Sequence, residues 1–245
     1  MRVCVFMGAR DGNDPHDRAL AEDLGREIGE RGWTLVFGGA GVGLMGRVAH
    51  ACLEAGGRVI GITPGAITAV EGEVLPDGRL LSEVAILKRV RSMERRKAEM
   101  MDLAQGYVVL PGGAGTFAEA WPVLDAAKLQ RAGMHPGWRR PLVFLAGDDY
   151  FAGTMQQIES GIKRGFFPED FRQLFRESHT ATDALNRLDG FHATFRPVRV
   201  RTLSRTPTPP VGPTVEITGV VVDPLGPMAK PPPGRPGTGD PGLAR

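Results

Sequence analysis

The sequence predicts an α/β fold: a doubly wound, Rossmann-like parallel sheet with helices on both faces. Short apolar runs alternate along the chain with segments of helical period, and strands that are buried on both faces have this continuously apolar character. Parallel strands need a crossover connection, which is usually a helix. The alternation of the two kinds of segment therefore favours a parallel sheet over a set of hairpins.

The predicted strands are apolar runs bounded by turn residues. The first of them, RVCVFMG, has the character of a buried strand and ends on Gly8. The predicted strands span residues 2–8, 33–39, 58–64, 107–113 and 141–147.

The predicted helices carry apolar residues at helical spacing. Leu20, Leu24 and Ile28 recur every four residues in the first helix, as on one face of an amphipathic helix. Ser92 is a suitable N-cap for a later helix, and Pro122 should kink another. The predicted helices span residues 15–32, 42–57, 92–106, 116–133 and 150–166.

A change in composition divides the chain into a domain and a tail. Residues 1–200 are predicted to form a single domain, in which residues 65–87 have no clear period and are expected to be a loop around a short helix. More than half of the 20 prolines follow residue 200, so residues 201–245 are predicted to be mostly disordered. The apolar run at 214–222 within this tail could be an edge strand or a partner motif.

Composition excludes several classes of protein. The net charge is +2, so no strong field favours nucleic acid or a membrane surface, and no apolar run reaches the roughly 20 residues that span a bilayer. The opening residues lack a signal-peptide layout, and Cys4 and Cys52 lie in apolar contexts, so we expect a cytoplasmic protein without disulfides. The five histidines are scattered, so no metal site is expected.

Glycine-rich turns are predicted at three strand ends, in residues 6–12, 37–46 and 110–119. They should lie along one edge of a parallel sheet, where bare backbone N–H groups and a helix N-terminus form an anion site. Thr116 adds a hydroxyl, and phosphate is the natural ligand. Alternatively, Gly39–Gly43 is an ordinary tight turn. Neither a Walker sequence nor a dinucleotide fingerprint with its acidic residue is present.

The segment SMERRKAEM predicts two cations on an apolar helix face. Met93, Arg96, Lys97 and Met100 share one face of a helix. Burying an unpaired charge is costly, so these cations either serve a site or are solvated and paired with nearby Glu99 and Asp102.

These segments together resemble the LONELY GUY family. MERRKAEM at 93–100 and PGGAGTFAE at 111–119 resemble its paired signature, MHxRK and PGGxGTxxE, and FGGAGVGLMG resembles its YGGGxxGLMG segment. The similarity covers roughly residues 2–170. Members of this family are phosphoribohydrolases of cytokinin riboside 5′-monophosphates. They often carry the label lysine decarboxylase, which the residues themselves do not support.

The resemblance implies a site and an assembly. It implies that Arg96 and Glu119 are catalytic, that no cofactor is needed, and that the protein is a homodimer with the site near the subunit interface. By the same resemblance the residues expected to bind the substrate or its phosphate are Lys97, Gly112, Gly113, Ala114, Gly115, Thr116, Gly8, Gly39, Met93 and Asp125.

The chain departs from the family pattern near the expected site. Glu94 stands where histidine is usual, Ala118 replaces a common glutamate, and Asp125 takes a position that is often threonine. Ala9 and Arg10 stand where the first loop is normally serine-rich. These changes leave the core motifs intact and bear on the identity of the base.

The resemblance predicts hydrolysis of the N-glycosidic bond of an adenosine 5′-monophosphate, plain or N6-modified, giving free base and ribose 5-phosphate. A nucleotide or cofactor carrier of the same fold is the alternative, and a pyridoxal-phosphate decarboxylase using Lys97 is a third hypothesis. Met93, Met134 and Trp121 are candidates for a base pocket, although the same residues suit an ordinary core.

Overall fold

A computed structural model of the chain describes residues 1–64, 72–131 and 140–194. The predictions for the tail and for Met134 lie outside these ranges. Within them, parallel strands form one sheet in which the strands are β1 (Arg2–Phe6), β2 (Thr34–Phe37), β3 (Arg58–Pro64), β4 (Ile86–Val90), β5 (Gly106–Val109), β6 (Leu142–Leu145) and β7 (Phe175–Ser178). The strand order is β4-β3-β2-β1-β5-β6-β7, so the predicted doubly wound fold is confirmed.

Helices connect the strands. They are α1 (Pro15–Glu30), α2 (Gly43–Glu54), α3 (Leu81–Val84), α4 (Met93–Leu103), α5 (Ala114–Arg131), α6 (Ala152–Lys163), a 3-10 helix (Glu169–Leu174) and α7 (Ala181–Thr194). No helix within the described ranges is long and apolar enough to cross a membrane.

Most of the predicted elements are present, and the missed ones are at the edges of the sheet. The five predicted helices are confirmed to within three residues at each end, and most of the five predicted strands end before their glycines. β4 and β7 were not predicted. No residue of β4 is fully buried, and the two central residues of β7 are exposed, so neither strand has a continuous apolar run. Short, polar strands are typical of sheet edges.

The two faces of the sheet hold separate cores. Val3 and Val5 pack with α1 and α2 on one face, whereas Cys4 and Phe6 pack with residues of α4 and α5 on the other. This alternation follows from the two-residue period of a strand. Both faces of β1 are therefore buried, as the unbroken apolar run predicts.

Local signals in the sequence set where the helices begin. Asp14 Oδ1 accepts a hydrogen bond of 2.8 Å from the backbone N–H of His16 and caps α1. Ser92 Oγ accepts one of 3.2 Å from the backbone N–H of Arg95 and caps α4 as predicted.

α5 continues through Pro122, which lies on the exposed face of this helix. Water can there solvate the carbonyl group that loses its backbone donor.

The direction in which successive strands are added to the sheet reverses after the first half of the chain, with β1 at the centre. β2, β3 and β4 follow outward on one side of β1, and β5, β6 and β7 follow on the other. In open parallel sheets, ligands bind at such a switch point, beyond the carboxyl ends of the strands. The crevice between the ends of β1 and β5 is therefore the expected position of a site.

Glycines allow α1 and α2 to approach each other closely. A Cβ on Gly25 would lie 2.3 Å from the backbone oxygen of Val48, and one on Gly29 would lie 2.6 Å from that of Cys52. The obstructing atoms belong to the backbone of α2, so they cannot move without shifting the whole helix.

We expect Gly25→Ala to destabilise the protein by about 1–3 kcal/mol, because the added methyl group overpacks the α1–α2 contact. Gly153→Ala in α6 is the matched control, since a Cβ there would have no atom within 4 Å; it should be neutral or stabilising by up to about 1 kcal/mol. Urea unfolding of both variants measures the two effects. Equal stability of the two variants would contradict the close helix packing.

Candidate active site

A cleft of about 550 Å³ opens at the carboxyl ends of β1 and β5. The loop after β1 and the glycine turn before α5 form much of its lining, and α1, α2 and α4 contribute side chains. The cleft therefore lies at the switch point of the sheet, where the topology predicts a ligand site.

A buried ion pair stands in this cleft. Arg96 Nη1 of α4 lies 3.2 Å from Glu119 Oε1 of α5, and the two side chains are only 8% and 9% exposed. Arg96 Nε also donates a hydrogen bond of 3.0 Å to the backbone oxygen of Ile62 at the end of β3. A second, fixed partner leaves the guanidinium little freedom, so the pair has one defined orientation.

Gly38 provides the space for the guanidinium of Arg96. A Cβ on this residue would lie 1.7 Å from Arg96 Nη2 and 2.8 Å from its Cζ. Gly38 directly follows β2. Part of the second glycine segment thus serves to admit an arginine side chain beside the end of the sheet.

The glycine turn before α5 exposes backbone donors to the cleft. The backbone oxygen of Gly113 accepts hydrogen bonds from the N–H groups of Thr116 (3.0 Å) and Phe117 (3.4 Å), which begin the helix. The N–H groups of Ala114 and Gly115, which precede them in the first turn, lack intrahelical acceptors, and the helix dipole is positive at this end. Gly113, Gly115 and Thr116 line the cleft, so this turn can bind an anion.

The loop after β1 is packed directly onto this turn. Gly8 N–H donates a hydrogen bond of 3.0 Å to the backbone oxygen of Pro111. A Cβ on Gly112 would lie 2.7 Å from Gly8 N and 2.1 Å from Thr116 Oγ1. Position 112 therefore requires glycine because the loop after β1 and the turn before α5 approach each other closely there, whether or not a ligand also contacts this residue.

Tyr150 closes one side of the cleft and was missed by the sequence analysis. Its hydroxyl oxygen accepts a hydrogen bond of 3.3 Å from Gly112 N–H, and the hydroxyl group donates one to Gly112 O. Tyr150 follows β6, whose carboxyl end lies beside that of β5. The sequence does place Tyr150 shortly after the fifth predicted strand, and this position at a strand end could have identified it as a candidate site residue.

The cleft perturbs two nearby titratable groups. Burial, with the neighbouring charges of Asp14 and Asp148, raises the pKa of Asp17 in the cleft lining. Burial beneath the cleft raises the pKa of the Cys4 thiol well above its ordinary value, and the negative charge of Glu119 adds to this effect. The thiol of Cys4 therefore stays protonated.

The structure brings most of the sequence-predicted site residues together. The lining includes Gly8, Arg96, Gly112, Gly113, Gly115, Thr116 and Glu119. Arg96 pairs with Glu119 rather than with Glu99 or Asp102, so the alternative of a local pair is wrong for this residue. Glu99 instead pairs with Lys88 at 2.5 Å and with Arg95 at 2.6 Å.

Five predicted site residues do not line the cleft. Lys97 and Met93 are half-buried on α4, Ala114 is exposed at the start of α5, and Asp125 is exposed 3.5 Å from the ammonium group of Lys128. Gly39 has a φ of +80°, and a Cβ there would lie 3.2 Å from Ile62 N. This geometry accords with the alternative of a tight turn, and the binding roles of all five residues stay predictions.

A second cluster lies away from the cleft. His50, Glu54 and Asp77 each offer a metal-ligating atom within 4.8 Å of the others. Arg79 already forms ion pairs with both carboxylates, including one of 2.6 Å to Glu54. A cationic side chain thus occupies the position in which these carboxylates would hold a metal ion.

The comparisons with known proteins match the chain over most of its length. Residues 45–188 match the family described as "Possible lysine decarboxylase". The chain is 33% identical to "Cytokinin riboside 5'-monophosphate phosphoribohydrolase LOG" of Oryza sativa subsp. japonica over 190 residues, covering 78% of this chain and 73% of that protein. It is 34% identical over 194 residues to the Arabidopsis thaliana phosphoribohydrolase LOG7, covering 79% and 83%.

Solved structures share the fold at lower identity. The molybdenum cofactor binding protein from Rippkaea orientalis aligns with a TM-score of 0.54 at 18% identity, covering 78% of this chain and 96% of that one. The Moco carrier protein from Chlamydomonas reinhardtii has a TM-score of 0.54 at 20% identity, covering 79% and 98%. These likenesses show the fold alone.

We expect Gly38→Ala to expel the guanidinium of Arg96 and break its pair with Glu119, because the new methyl group would occupy the position of Nη2. The variant should also be destabilised by about 3–5 kcal/mol, because Glu119 would be left buried without its charge partner. Gly115→Ala is the control, since a Cβ there would have no atom within 4 Å. Crystal structures of both variants measure the Nη1–Oε1 distance. An unchanged distance in Gly38→Ala would refute the steric role of Gly38.

Proposed function

The chain belongs to the LONELY GUY (LOG) family of cytokinin riboside 5′-monophosphate phosphoribohydrolases, and we propose that it hydrolyses the N-glycosidic bond of an adenosine 5′-monophosphate, plain or N6-prenylated. The products are free base and ribose 5-phosphate. The buried Arg96–Glu119 pair in the cleft is the observation that carries this proposal, because the reaction needs a fixed carboxylate beside the sugar.

The glycine turn anchors the phosphate. Backbone N–H groups at the start of α5 and the hydroxyl of Thr116 contact the phosphate oxygens in this mechanism. Thr116 and Glu119 are three residues apart on α5, so they are separated by about 4.5 Å along the helix axis and lie on neighbouring positions of one face. The phosphate and the carboxylate thus bracket a ribose between them.

Glu119 stabilises the sugar as the bond breaks. The transition state of N-glycoside cleavage resembles an oxocarbenium ion, and a carboxylate near C1′ lowers its energy or orients the attacking water. Binding energy from the remote phosphate holds the sugar at this carboxylate. Since Glu119 is fixed before the substrate arrives, no reorganisation is needed at the moment of reaction.

Arg96 holds Glu119 in place and faces the leaving base. Its guanidinium presents several N–H donors in one plane. Nε and Nη1 of the guanidinium contact Ile62 O and Glu119 Oε1. The remaining N–H groups can donate to a nitrogen of the departing purine, which becomes more basic as the bond lengthens.

The lysine decarboxylase description of the matched family is not supported by the cleft. A pyridoxal-phosphate enzyme needs a lysine that forms a Schiff base with the cofactor. The cations that line the cleft, among the described residues, are Arg10 and Arg96, and a guanidinium does not form a Schiff base. Lys97 lies outside this lining.

A homodimer is also part of the proposal. What supports it is the resemblance of the two signature segments to those of a dimeric family. Light scattering coupled to size exclusion tests it directly, because a dimer should have about twice the 26.3 kDa mass of the chain. A monomeric mass at assay concentrations would refute this part.

We expect Glu119→Gln to lower base release from AMP and from N6-isopentenyl-AMP by about 10²–10³, because a group that stabilises transition-state charge is lost. Chromatographic detection of adenine or isopentenyladenine measures the rate, and ribose 5-phosphate binding should persist. Glu99→Gln is the matched control, since Glu99 is also buried and ion-paired but lies outside the cleft. Wild-type turnover in Glu119→Gln would exclude the proposed role.

The same assay over a panel of nucleoside monophosphates identifies the preferred base. A protein that binds these nucleotides tightly and releases no base from any of them would instead be a carrier.

A further inference from the structure

The charges lining the cleft do not balance around the expected phosphate position. The charged side chains in the described lining are Arg10, Asp17, Arg96 and Glu119. Arg96 and Glu119 neutralise each other at 3.2 Å. Asp17 lies beside two further carboxylates, Asp14 and Asp148, so it supplies no positive charge. Arg10 is therefore the cation that remains in this part of the chain.

The side chain of Arg10 is exposed, and no described residue forms a hydrogen bond or ion pair with it. Its acidic neighbour is unavailable, because Arg47 of α2 holds Asp11 with bonds of 2.7 Å and 3.1 Å. This pairing with Arg47 lowers the pKa of Asp11, so Asp11 stays ionised and bound to α2. An unpaired guanidinium beside a paired carboxylate is free to bind an external anion.

The backbone that carries Arg10 is nevertheless tightly held. Gly43 begins α2 directly against it: a Cβ on Gly43 would lie 2.4 Å from the carbonyl carbon of Ala9 and 2.6 Å from Arg10 N. On the other side, Gly8 N–H binds Pro111 O at 3.0 Å. Arg18 Nη1 donates a hydrogen bond of 3.2 Å to Gly12 O. The loop thus presents Arg10 from a fixed base next to the glycine turn of α5.

A phosphomonoester needs such a cation. It carries a charge of about −1.5 to −2 near neutral pH, whereas a helix N-terminus supplies only about +0.5. Arg96 is already committed to Glu119. A guanidinium can bind two phosphate oxygens at once through its planar fork, and Arg10 lines the same cleft as Gly112, Gly113 and Thr116.

We propose that Arg10 binds the 5′-phosphate of the substrate and makes the cleft selective for nucleoside 5′-monophosphates over nucleosides. The inference rests on the proposed function for the identity of the substrate. The contact itself requires only a phosphomonoester at the start of α5.

Steady-state kinetics of Arg10→Gln and Arg10→Lys test this role. In Arg10→Gln, we expect KM for AMP to rise about tenfold or more, as when one charge-assisted hydrogen bond is lost, with kcat within about threefold of wild type because the chemistry depends on other groups. Arg10→Lys should recover part of the loss. The residual cleavage of adenosine, which lacks the phosphate, should be unchanged in both variants.

Arg26→Gln is the control for loss of an exposed arginine. Arg26 lies on α1, pairs with Asp23 at 2.7 Å and does not line the cleft, so its variant should keep the wild-type KM. Melting temperatures of all variants check that the loop remains folded.

Calorimetric titration with ribose 5-phosphate and with inorganic phosphate separates this proposal from the proposed function. If wild-type protein binds ribose 5-phosphate and Arg10→Gln binds it about tenfold more weakly, the Arg10 contact stands even when no base is released from AMP, N6-isopentenyl-AMP or any other nucleoside monophosphate of the panel. That outcome would overturn the hydrolase assignment alone. Unchanged ribose 5-phosphate affinity in Arg10→Gln, or no binding to the wild type, would overturn the Arg10 contact. A fall in kcat at constant KM would also overturn it.

Discussion

The ion pair between Arg96 and Glu119 is the interaction around which the rest of the cleft is arranged. Two charges withdrawn from water cost several kcal/mol each, and loss of one partner typically costs a protein about 3–5 kcal/mol. The surroundings accordingly hold both in place: β3 offers the carbonyl oxygen of Ile62, and Gly38 leaves the space that the guanidinium fills. α4 and α5 are thereby linked inside the cleft, at the point where the proposed function places the sugar of the nucleotide.

The glycines of the site act mainly through contact between chain segments. Gly8 and Gly112 let the loop after β1 rest on the turn before α5, and Gly43 lets α2 begin against the peptide of Arg10. Three strand ends thus converge without side chains between them. The donors at the start of α5 and the backbone that carries Arg10 occupy fixed positions as a result, which limits the ordering that a ligand must induce.

Sequence patterns were sufficient for the central sheet and for half of the cleft. Unbroken apolar runs predict the buried strands. β4 and β7 lie at the two sheet edges and have polar surfaces, so they lack such a run. The glycine turns and Glu119 were predicted because they are contiguous. The partner of Arg96 and the contact of Tyr150 were not derivable from spacing, since both depend on which strand ends become neighbours in the folded sheet.

Burial of Cys4 and Cys52 affects how the protein responds to oxidants. These are the only two cysteines of the chain, both are inaccessible to solvent, and burial raises the pKa of Cys52 to about 12 and shifts that of Cys4 in the same direction. Peroxides and alkylating reagents attack the thiolate, a species that the native protein does not present. Oxidation or alkylation of these two cysteines therefore requires the protein to unfold, so the folded enzyme needs no reductant to keep them as thiols.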